Sequence, residues 1–199
     1  MKPENLDRFY AFHAKIYDYT RWTFSFDRKK AVEYLDIQPT DRVIDFACGT
    51  AMNIRHILAR APKSVEGIDY SENMLKVARK KFPDIKFIQG DITSYRFDYQ
   101  ADKAISSYAL TMIPVWQAAI KGMAENLTPN GTLVLLDFHD WRGVFKPLFP
   151  IFRWWMGMNG LEFYQPIEAE LKKHFHEVEM HIRRSGYNYI AVARKPRRQ

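Results

Sequence analysis

From position 42 onward the chain alternates short apolar runs, rich in β-branched residues, with longer amphipathic stretches. This is the pattern of a parallel sheet joined by crossover helices. Strands are predicted over residues 42–46, 64–69, 85–89, 103–107 and 132–137. Between them, the helical period predicts helices over about 53–60, from the capping Ser71 to Pro83, and over 115–127. In the second of these Met74, Leu75 and Ala78 share one face. Lys76, Arg79, Lys80 and Lys81 gather toward its polar side and C-terminal end, where cations suit the helix dipole. Thr128-Pro129-Asn130-Gly131 reads as a turn before the fifth strand. A late helix over 166–175 precedes strands near 178–183 and 189–194 that meet across Ser185-Gly186, a turn suited to a hairpin and hence to an antiparallel edge. The expected fold class is α/β: a doubly wound, mostly parallel sheet with a C-terminal antiparallel hairpin.

The 199 residues suit one domain, with two flanking elaborations, 1–40 and 141–165. In the first, Phe9, Phe12, Ile16 and Tyr19 recur at helical spacing beside Arg8, Lys15 and Arg21. That amphipathic segment suits a lid over a pocket or an anionic bilayer surface. The second is an insertion after the fifth strand. Its stretch 145–156 is dense in aromatics and broken by Pro147 and Pro150, so it is not one regular helix. It suits either packing over the pocket or an interfacial element.

Composition, 47% hydrophobic and 27% charged, is that of a folded protein, and the formal charge of +7 favours anionic partners. Cys48 is the only cysteine, which rules out an intramolecular disulfide and points to a reducing, cytoplasmic setting. The first residues lack a signal-peptide pattern, and the longest uncharged run, 104–120, is too short and too polar for a membrane span.

The chemistry should lie at the carboxyl ends of the strands, where open parallel sheets bind ligands. There the chain places Asp45-Phe46-Ala47-Cys48-Gly49-Thr50-Ala51, then Gly67-Ile68-Asp69-Tyr70, then Gln89-Gly90-Asp91-Ile92. A carboxylate in or just after a strand is costly unless it binds something. The small-residue loop admits close backbone approach, Asp69 can accept from two ribose hydroxyls, and Asp91 can accept from an adenine amino group. A dinucleotide oxidoreductase fits less well, because Gly49 is the loop's only glycine and the pyrophosphate fingerprint needs three.

In these motifs, and in Leu127-Thr128-Pro129-Asn130-Gly131-Thr132, the chain resembles the Rossmann-like S-adenosylmethionine-dependent methyltransferases over about residues 42–137 and, by the terminal hairpin, to its end. Ala47 and Ala51 depart from the glycines usual in that family. The resemblance implies S-adenosyl-L-methionine as cofactor and no metal. It implies a cofactor set of Tyr17, Asp45, Ala47, Gly49, Thr50, Asn53, Asp69, Tyr70, Met74, Asp91, Ile92 and Ser107.

Residues 12–24, Asp137-Phe138-His139-Asp140 and 152–159 are similar to bacterial lipid-headgroup N-methyltransferases, which act on betaine lipids or phosphatidylethanolamine. That likeness implies a lipid amine acceptor and peripheral contact with an anionic inner membrane face. His139, Asp140 or Tyr17 would then take the amine proton, and aromatic residues such as Tyr108 and Trp154 could cage the growing ammonium. Two alternatives stand beside it: a soluble methyltransferase for a quinone-like or other small molecule, and a nucleic-acid-binding protein. Against the last, no nucleic-acid module is recognisable.

Overall fold

A computed structural model describes residues 26–139 and 165–197. A single seven-stranded sheet runs through them in the order β3-β2-β1-β4-β5-β7-β6. Its strands are β1 (Arg42–Phe46), β2 (Ser64–Asp69), β3 (Lys86–Gln89), β4 (Ala101–Ser107), β5 (Leu127–Phe138), β6 (Phe175–Arg183) and β7 (Asn188–Pro196). The helices are α1 (Arg28–Tyr34), α2 (Ile54–Leu58), α3 (Glu72–Lys81), α4 (Trp116–Glu125) and α5 (Ile167–His174). A 3-10 turn, Leu110–Met112, follows β4.

The central strands β1, β4, β5 and β7 bury residues on both faces because both faces are covered. Val43, Ile105, Val134, Leu136, Ile190 and Val192 pack with Leu35, Ile54, Ile57 and Leu75 of the α1–α3 side. Their neighbours Ile44, Ala104, Leu133, Leu135, Ala191 and Ala193 pack with Ile120, Met123 and Leu171 of the α4–α5 side. Helix α3 starts as expected, with Ser71 Oγ accepting the Met74 N–H at 3.4 Å, and ends just before Pro83.

The C-terminal hairpin forms the antiparallel edge that the sequence predicts: β7 inserts between β5 and β6, is antiparallel to both, and leaves β6 as the outermost strand, running parallel to β1–β5. One expectation needs correcting: residues 128–131 do not separate helix from strand. They lie inside β5, where pairing shifts from Ala101↔Leu127 to Lys103↔Thr132. Asn126 holds this irregular start: its backbone carbonyl accepts from Ala101 N, while its side chain bonds Phe97 N, Tyr95 O and Gly122 O. Pairing so extended begins β4 at Ala101, two residues before the pattern predicted.

Strands β1, β2 and β3 step outward in one direction, and β4 lies on the other side of β1. The reversal of strand order between β1 and β4 opens a crevice beyond their carboxyl ends.

Candidate active site

Three left-handed residues at alternate positions, Ala47 (φ 52°), Gly49 (φ 55°) and Ala51 (φ 66°), coil the chain tightly after β1. Only one of them is glycine, so the loop holds two alanines in a conformation that costs L-residues energy. Cys48 N–H donates to Ile68 O at 3.0 Å, which ties the coil to β2. Gly49 N–H donates to Asp69 Oδ2 at 2.7 Å, and Ser71 N–H to Asp69 Oδ1 at 2.9 Å. These bonds fix the Asp69 carboxylate at the end of β2. Desolvation raises the Asp69 pKa, an effect opposed by the backbone donors of Ser71, Gly49 and Tyr70.

Asp91, after β3, accepts from Thr93 N–H at 2.9 Å through Oδ1. The backbone around Ile92 lies against α4 so closely that a Cβ on Gly122 would stand 2.3 Å from Ile92 O. Strand β4 contributes Ser107, and the left-handed Tyr108 (φ 56°) turns the chain into the 3-10 turn. Between these loops lies a cavity of about 370 Å³.

Eight of the expected cofactor residues line it: Ala47, Gly49, Thr50, Asp69, Tyr70, Asp91, Ile92 and Ser107. Three others stand behind the wall. Met74 packs beneath Gly49, with Cε 3.4 Å from where a glycine Cβ would be. Asp45 and Asn53 are buried and joined to each other, Asn53 Nδ2 donating to Asp45 Oδ1 at 2.9 Å and to Ser107 Oγ at 3.2 Å. Burial pushes the Asp45 pKa up to about 7, against the Asn53 bond and the positive charge of Arg28, with nearby Asp69 adding to the rise. Tyr17 and Asp140 lie outside the described residues. His139 lines a different cavity of about 900 Å³, beside Tyr189, Phe138 and Gln165.

Sequence reasoning missed Arg28, Met52 and the apolar wall Met112-Ile113-Pro114-Val115, all of which line the cleft. Nothing in the local pattern marks Arg28, because its contact with Asn53 crosses 25 positions. The sequence pattern assigns no element to residues 112–114 and starts the helix at Val115, one residue before α4 begins at Trp116.

The cleft fits S-adenosylmethionine by its own residues. A clamped carboxylate at the end of β2 suits a ribose diol, a second after β3 suits an adenine amine, and a backbone coil lies between. Fold and site together define an S-adenosylmethionine-dependent methyltransferase. Residues 43–131 match the methyltransferase domain family. The demethylmenaquinone methyltransferase of Staphylococcus carnosus (strain TM300) is 29% identical over 168 residues, 81% of this chain and 67% of that protein. That of Staphylococcus aureus (strain JH9) is 27% identical over 197 residues, 94% of this chain and 79% of that protein. Among solved structures, the DhpI–SAH complex superposes with a TM-score of 0.74 at 18% identity, covering 98% of each chain.

Proposed function

We propose that the chain methylates a quinone-like aromatic acceptor, and that a lipid amine is not its substrate. The observation that carries this reading is the second cavity, about 900 Å³, on the other side of the 3-10 turn from the cofactor cleft. Met112 of that turn lines the cleft and Thr111 lines the second cavity. Phe138, Ile167, Met180, Ile182 and Tyr189 give the second cavity apolar surface that suits a bulky ring and hydrocarbon, while Gln165, Glu168 and Lys172 supply polar groups beside it. The names of the relatives support the same acceptor class. Of the segments behind the lipid resemblance, 12–24, Asp140 and 152–159 lie outside the described residues.

S-adenosylmethionine, when bound, supplies an electrophilic methyl group. On a reduced quinone, loss of a proton from a ring hydroxyl makes the adjacent ring carbon nucleophilic. With the cofactor bound, that carbon would take the methyl group from its sulfonium, leaving the neutral thioether, and would give up its own proton to water. His139 lines the second cavity with its ring 6.3 Å from that of Tyr189, and is the residue we assign to receive the hydroxyl proton. The protein's main contribution is orientation, which supplies roughly 7–11 kcal/mol in well-positioned transfers.

The test offers methyl-labelled cofactor with a demethylated naphthoquinol in detergent, phosphatidylethanolamine in mixed micelles, and water-soluble amines. Label in the quinol alone supports the proposal. Label in phosphatidylethanolamine or in the amines alone overturns it.

A further inference from the structure

Just ahead of α1, Asp27 stands in the left-handed region at φ 65°, and its side chain is only 6% exposed. An L-residue keeps such a conformation when its surroundings impose it. Here they do. Asp27 accepts from Arg184 Nε at 2.8 Å, from Asn188 Nδ2 at 3.2 Å and from Arg183 Nη2 at 3.3 Å, all at the turn between β6 and β7. Asn188 Nδ2 also donates to the Tyr108 hydroxyl at 2.9 Å, and that hydroxyl donates to Phe26 O at 2.8 Å. The two residues preceding Arg28 are therefore fixed by the C-terminal hairpin.

Arg28 is in turn fixed on two sides. Its guanidinium lies 5.3 Å from the centroid of the Tyr108 ring, and Nη1 donates to Asn53 Oδ1 at 2.9 Å. Asn53 presents that oxygen because its amide nitrogen is committed to Asp45 and Ser107. What remains is the edge formed by Nε and Nη2, the edge that pairs bidentately with a carboxylate. Nε is buried and has no hydrogen-bond partner among the described residues, and Arg28 lines the cofactor cleft. A buried donor left unpaired is costly, so its retention at a ligand cavity points to a ligand that completes it.

We propose that Arg28 binds the carboxylate at the amino-acid end of S-adenosylmethionine, and that Asp27, held by Arg183, Arg184 and Asn188, is the positioning residue that aims it. The hairpin thereby sets cofactor affinity from outside the cleft. This inference rests on the cofactor assignment and is independent of the acceptor. An anionic acceptor could reach the same guanidinium, and the test separates the two.

Calorimetry on the full chain compares S-adenosylhomocysteine with 5′-methylthioadenosine, which shares the nucleoside and thioether but has no carboxylate. Arg28→Met should weaken S-adenosylhomocysteine by roughly 10- to 100-fold, the range for a lost charge-assisted hydrogen bond, and leave methylthioadenosine unchanged within twofold. Arg28→Lys, which keeps the charge without the fork, should fall between, and it carries the test if Arg28→Met does not fold. Asp27→Asn and Arg184→Ala should repeat the selective loss at smaller size. An equal loss for both ligands would show a merely structural role and overturn the proposal. So would unchanged affinity for S-adenosylhomocysteine together with weakened acceptor binding, which would assign Arg28 to the acceptor.

Discussion

Replacing Asp45 by asparagine should remove much of the pH dependence of this protein's stability between pH 5 and 8. Asp45 is fully buried, and its Oδ2 has no hydrogen-bond partner among the described residues, so ionisation inside the fold is opposed chiefly by desolvation. Its pKa is about 7 in the folded chain, against an ordinary value of 3.8. A folded-state pKa above the unfolded value means that the native state holds the proton more tightly. The resulting stability is fully present below pH 3.8 and is lost as pH rises through 7. Over pH 5 to 8 this loss is about 3 kcal/mol for Asp45, with one pKa unit equivalent to ~1.4 kcal/mol. Asp137 is also buried and is raised by desolvation to about 6, against backbone and Thr111 donors. It contributes about 1 kcal/mol over the same range. Urea denaturation of the ligand-free protein at pH 5 and 8 measures the slope. Asp45→Asn keeps an oxygen for Asn53 Nδ2 and should flatten the slope by about 3 kcal/mol, leaving the Asp137 part. Parallel slopes for the two proteins would refute the reasoning, because they would mean that Asp45 titrates in the fold as it does in the unfolded chain.

Gly122→Ala should destabilise despite alanine's helix preference of about 1 kcal/mol, because the new methyl meets Ile92 O at 2.3 Å. A net loss of about 2 kcal/mol in urea, with weaker S-adenosylhomocysteine binding as the Asp91–Ile92 loop shifts, is the expected result; a gain in stability would contradict the close packing. At Ala51, held at φ 66° and 1% exposed, glycine should raise stability by up to about 1 kcal/mol. Valine at the same position should lower it by about 2 kcal/mol, and thermal denaturation of the pair checks that the coil after β1 is strained.

Much of the fold was legible because short-range rules decide it. β1 and β2 fall where apolar runs place them, since strands covered on both faces must be apolar throughout. Ser71 and Pro83 bracket α3 by capping and by ring geometry, both local effects. The carboxylates Asp69 and Asp91 were legible as ligand groups because a charge at a strand end is costly without a partner.

What the sequence determined by itself was therefore most of the strands and helices from β1 onward, the cofactor class and the residues that line the cleft from the ends of β1, β2 and β3. Only tertiary structure decided that β7 enters between β5 and β6, since that choice rests on pairing between residues 50 or more positions apart. It alone withdrew Asp45 and Asn53 behind the cleft wall, placed His139 in a second cavity, and brought Arg28 to the cleft through Asn53 and Tyr108. Periodicity and capping act within a few residues, whereas a side chain's ligand depends on neighbours that the chain delivers from elsewhere in the fold.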